Sequence, residues 1–126
     1  MLLVATSVAT QAQNLASAQV AVVKQLSWES LTHDFGLLEK AQSQSATFKF
    51  QNISEEVVFI KSVKPSCGCT VAEYTRTAVA PGDWAEIKAN FNAATAGQFR
   101  KTIQVTTSAS DEVIVLTISG EVRASN

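Results

Sequence analysis

Cys67 and Cys69, separated by a single glycine and flanked by Ser66 and Thr70, are the most reactive side chains in this sequence. Four chemistries are open to them. A disulfide between them would close a three-residue loop, for which chain entropy supplies only about 1.6 kcal/mol, so it would not hold a fold together. In an extended strand the two Cα atoms stand about 7 Å apart, near the upper limit for bridging, so the chain would have to bend at Gly68. A bond of that kind is readily reduced, which would suit thiol exchange. As free thiolates the pair would attract copper(I) or zinc. Tetrahedral zinc takes four ligands, and the sole histidine, His33, is the one further candidate the sequence offers. Unpaired thiols packed as small hydrophobes complete the set.

Other chemistry is sparse. His33 beside Asp34 reads as a hydrogen-bonded surface residue rather than a catalyst. No Ser/His/acid pattern, phosphate-cradling glycine loop, paired catalytic carboxylates or HExxH run is present, so no catalytic residue, enzymatic activity or cofactor is assigned. Glu55, Glu56, Asp111 and Glu112 fall in turns beside strands, where charge gives solvation and edge protection. Trp28, Tyr74 and Trp84 lie outside the clearest inward phases and are candidates for a contact patch or for covering an edge. Asn52-Ile53-Ser54 matches a glycosylation sequon, a short pattern that arises often by chance.

The elements that must position the cysteines follow strand periodicity. Leu26 and Trp28 alternate with polar neighbours in a first edge strand that reaches His33-Asp34-Phe35-Gly36, where the glycine permits a turn. Phe48 and Phe50 alternate with Thr47, Lys49 and Gln51, the mark of a half-buried strand. Glu56–Val63 is rich in β-branched and aromatic residues and reads as a central strand, ended by Lys64-Pro65. Thr70–Val79 has weak period and is expected to cross between two sheets. Ala80-Pro81-Gly82-Asp83 places proline and glycine as a type II turn requires. Ala85, Ile87, Ala89 and Phe91 then share one face, as do Ile103 with Val105, and Ile114 with Leu116 and Ile118. About seven strands joined by turn signals predict an all-β, immunoglobulin-like antiparallel β-sandwich, with a closed barrel as the alternative.

The 126-residue length suits one domain, and 46% hydrophobic content suits a packed core. A net charge of −1 gives no field that would gather nucleic acid. No run of about eighteen apolar residues occurs, so no transmembrane span is expected. Residues 1–18 read as a signal peptide: the apolar run Leu2–Val8 leads to Ala16-Ser17-Ala18, a small-x-small cleavage pattern that would leave Gln19 as the new N-terminus and a domain over 19–126. Thr10-Gln11-Ala12 is a second cleavage candidate. No Lys or Arg precedes Lys24, so a basic n-region would have to lie upstream of Met1, and a plain N-terminal tail on a cytosolic protein is the rival reading.

Over roughly residues 28–123 the succession Asp34-Phe35-Gly36, Phe48-Lys49-Phe50-Gln51-Asn52, Ser66-Cys67-Gly68-Cys69-Thr70, Ala80-Pro81-Gly82, Phe91-Asn92 and Ile118-Ser119-Gly120-Glu121-Val122 resembles the DUF1573 family of bacterial extracytoplasmic proteins. Cys-Gly-Cys-Thr is its most specific element. The resemblance implies an immunoglobulin-like domain, related to those of ciliary and centrosomal scaffold proteins, with no established enzymatic activity. The sequence departs from the family near Glu39-Lys40-Ala41, where a glycine is commoner, and at Ile53-Ser54, where a small residue and glycine are usual. The resulting expectation is a periplasmic or secreted, non-enzymatic module that binds a protein or cell-envelope component. The alternative is a thiol-based redox partner or copper-binding protein acting through Cys67-Gly68-Cys69.

Overall fold

The computed structural model describes residues 25–124, so the signal-peptide reading of residues 1–18 lies outside the described residues. Eight strands form two four-stranded sheets: β1 (Leu26–Trp28), β2 (Thr32–Leu38), β3 (Gln44–Asn52), β4 (Ile60–Pro65), β5 (Thr70–Tyr74), β6 (Trp84–Phe91), β7 (Gly97–Thr107) and β8 (Ser110–Val122). One sheet has the order β1-β3-β6-β5 and the other β2-β8-β7-β4. Their facing sides bury Phe48, Phe50, Ala85, Ile87, Ala89, Phe91, Ile103, Val105, Leu116 and Ile118, the inward positions that alternation in the sequence assigns. The architecture is therefore a β-sandwich, built as the two-residue period of half-buried strands requires.

The eighth strand comes from the first one dividing. After β1 pairs with β3, the chain leaves that sheet and joins the other, where β2 runs parallel to β8 from Thr32 beside Thr117 to Leu38 beside Val122. Gly36 consequently does not end a strand. It sits at a bulge inside β2, with φ at +73° and its N–H accepted by Asp34 Oδ1 at 2.8 Å. The side chain between them, Phe35, packs toward Phe91 and Phe99, whose rings stack at 4.2 Å. Gly120 lies against this bulge: a Cβ there would stand 2.8 Å from the Gly36 carbonyl oxygen, so the glycine is set by close approach of two backbones. Near the departure from the family pattern, Ala41 holds a left-handed φ of +68°, the conformation for which glycine is the natural residue.

Two other elements differ from their sequence reading. The run Val57–Ile60 is not central: β4 starts at Ile60 on the edge of its sheet, Val58 makes only an isolated bridge to Val79, and Val57 and Phe59 are 54% and 49% exposed. The crossing between sheets occurs at residues 66–69 rather than over Thr70–Val79, because Thr70–Tyr74 already pairs with β6 as β5. The Ala80–Asp83 turn matches its sequence reading, with Asp83 N–H donating to Ala80 O at 2.9 Å and Gly82 at φ +86°.

Candidate functional site

β4 is the edge strand of one sheet and β5 the edge strand of the other, and Ser66–Cys69 carries the chain directly from edge to edge. The bend that two cysteines at this spacing need is present: their Cα atoms are 5.3 Å apart and a disulfide joins them. The corner is anchored on both flanks. Ser66 N–H donates to Thr102 O at 2.8 Å, and Thr102 N–H donates to Ser66 Oγ at 3.1 Å. Cys69 O accepts from Asn92 N–H at 3.1 Å, and Cys67 O from Thr70 N–H at 3.4 Å.

The two sulfurs have different surroundings. Cys69 packs against the hydrophobic core and lines a cleft of about 140 Å³ together with Asn92, Phe99 and Lys101. Cys67 has the hydroxyl of buried Thr70 within 3.9 Å. Gly68 is exposed at the apex, outside the left-handed region, and a Cβ added there would meet nothing within 4 Å. The bend therefore does not depend on glycine.

Because the loop is so short and the corner keeps its anchors, the double change Cys67→Ser, Cys69→Ser should cost at most about 2 kcal/mol of stability. Unfolding curves under oxidising conditions check this, and a loss well above that value would make the pair a structural keystone.

His33 is not brought to the cysteines. It lies on β2, at the opposite edge of the sheet from β4, with its ring edge-on to Phe35 at 4.7 Å between centroids. Among the described residues no group of three or more His, Cys, Asp or Glu side chains could hold a metal ion. The aromatic trio is likewise dispersed. Trp28 covers the core edge on Phe50 at 4.8 Å, Tyr74 carries the Arg76 guanidinium 4.1 Å over its ring, and Trp84 is exposed. The sequon asparagine is fully buried, with its amide nitrogen donating to Glu56 O and Val79 O, so the folded domain withholds it from glycosylation.

A second feature has no signal in the sequence. β2 accompanies only the second half of β8, so residues Ser110–Leu116 have β7 on one side and, among the described residues, no strand on the other. Beside this half-edge opens a groove of about 260 Å³ lined by Leu26, Trp28, Leu31, Ala109, Glu112 and Ile114. Trp28 and Ile114 are only partly buried there, and Leu31 is exposed.

Two facing four-stranded sheets joined by crossing connections make this an immunoglobulin-like β-sandwich. The chain belongs to the DUF1573 family, a family of proteins of unknown function whose profile matches residues 26–122. Among solved structures it is similar to a protein of unknown function from Porphyromonas gingivalis W83, at 14% identity and a TM-score of 0.65 over 79% of this chain. The chain spans about half the length of that protein, 48%. It is also similar to an ASH / PapD-like domain of human CEP192, at 9% identity and a TM-score of 0.65, covering 81% of this chain and 87% of that one. A third similarity is to the VesB protease of Vibrio cholerae, at 11% identity and a TM-score of 0.64, covering 86% of this chain but 34% of that one. At such identities the likeness is one of fold. No match was found among curated proteins. Among the described residues no helix is long and apolar enough to cross a membrane.

Proposed function

We propose that this domain is a non-enzymatic binding module, secreted or periplasmic, that takes up an extended segment of another protein or envelope component. The observation that carries the reading is the half-edge of β8 that no other described strand pairs with, beside its apolar groove. An unpaired strand edge offers a row of backbone donors and acceptors, and an added strand would send alternate side chains toward Trp28, Leu31 and Ile114. Asp111 and Glu112, both exposed on the same half-strand, favour a segment that alternates apolar residues with basic ones. The signal-like residues 1–18 support the compartment.

A photo-crosslinking amino acid placed at Val113 of the full chain, expressed in its own host, tests the reading. A discrete adduct should form in the envelope fraction and vanish when Ile114→Lys puts a charge into the groove, and the recovered protein should begin at Gln19. The absence of an adduct, or one indifferent to Ile114→Lys while the domain stays folded, would count against the groove. Retention of Met1 would count against export.

A further inference from the structure

We propose that the Cys67–Cys69 disulfide is a thiol-exchange site that accepts two electrons from a dithiol of another protein, a role separate from the binding groove. Three observations carry it. The bond closes too short a loop to matter for the fold, so the domain has little to lose on its opening. The backbone on either side is held by hydrogen bonds to Thr102 and Asn92 that do not involve the sulfurs, so the corner keeps its place in either state. Gly68 is demanded neither by φ nor by space within the chain, and the bare apex leaves room for another backbone to approach the bond.

The asymmetry of the sulfurs orders the steps. A thiolate of the partner attacks Cys67 Sγ, the sulfur not packed against the core. The S–S bond breaks, and Cys69 leaves as a thiolate into the cleft it shares with Lys101, where the ammonium offsets its charge until a proton arrives from water. The second thiol of the partner, losing its proton to water, then attacks the partner's own sulfur in the mixed disulfide. Cys67 departs with the Thr70 hydroxyl beside it and is protonated in turn. The partner's dithiol has become a disulfide, and Cys67 and Cys69 have gained two electrons and two protons.

Dithiothreitol serves as the dithiol probe on the oxidised full chain, without denaturant, with alkylated thiols counted by mass spectrometry. Both cysteines should become alkylated while the circular dichroism spectrum of the sandwich is unchanged. Gly68→Val, which the open space around the apex accommodates, should keep the unfolding midpoint and slow reduction by about tenfold through shielding. Lys101→Gln should slow it several-fold. With oxidised glutathione, the lone Cys67 of the Cys69→Ser variant should form the mixed disulfide faster than the lone Cys69 of Cys67→Ser. A bond that resists dithiothreitol in the folded protein overturns the proposal, as does loss of the sheet spectrum on reduction. Equal reactivity of the two single-cysteine variants, or a rate indifferent to both Gly68→Val and Lys101→Gln, overturns it as well.

Discussion

Phe50→Ala should lower the free energy of unfolding by about 3–5 kcal/mol, the largest loss expected of any single truncation in the domain. Its ring is fully buried, pairs across the sheet with Ala85 and lies against Trp28. Truncation removes the transfer free energy of the ring and leaves a cavity that the small Ala85 cannot fill. Trp28, on a three-residue edge strand, is a large neighbour placed to sink inward, and the extent to which it does bears on where in the range the value falls. Urea unfolding with an unchanged m-value measures the effect, and a loss under about 1 kcal/mol would remove Phe50 from the core.

Asn52 is the second such position, through polar rather than apolar burial. Its amide nitrogen donates to Glu56 O at 2.8 Å and Val79 O at 2.9 Å, while Oδ1 accepts from Ser54 N–H at 3.0 Å and Ser54 Oγ at 2.7 Å. This one side chain thus ties the end of β3 to the Ser54–Glu56 turn and to Val79, where the chain has no sheet ladder to do so. Asn52→Ala should cost about 2–3 kcal/mol as these bonds are lost and Glu56 O and Val79 O each lose a donor. Asn52→Asp keeps the shape yet turns both donors into acceptors facing carbonyl oxygens, and buries a charge. It should cost more than alanine at neutral pH, at least about 3 kcal/mol. Parallel denaturant curves decide it, and an aspartate no worse than alanine would mean that the amide donors contribute nothing.

The strands that sequence alone reveals are those with polar residues outside and apolar ones inside. Phe48 and Phe50 on β3, and Ala85 through Phe91 on β6, follow that pattern, and the Pro81-Gly82 pair sets its turn by local dihedral preference. β5 hides because it inverts the pattern: Thr70 is buried and Val71 is 61% exposed. The Val57–Ile60 run misleads because apolar residues on both faces signal burial on both, whereas here the outward ones, Val57 and Phe59, face solvent at a sheet edge. The division of the first strand leaves no local trace, since which sheet receives Thr32–Leu38 is decided by β8, far along the chain. The cysteine corner is half legible. Spacing demands the bend, but the inequality of the two sulfurs comes from the cleft that Asn92, just after β6, and Lys101, on β7, both distant in sequence, bring to Cys69. The β8 groove exists only as a mismatch in length between paired strands, which no single stretch encodes.

The parallel union of β2 with β8 also bears on when the sandwich can form. In a nascent domain β2 emerges well before β8, and between them lie all the other described strands except β1. The loop-closure entropy of that pairing must be met before any of its contacts reward it, which places the domain among high-contact-order folds that complete folding in milliseconds to seconds. Until β8 has emerged, β2 has no neighbour among the described strands to pair with and Gly36 no Gly120 to lie against. The chain is thus kept from closing prematurely, with the thirteen residues of β8 acting as the latch.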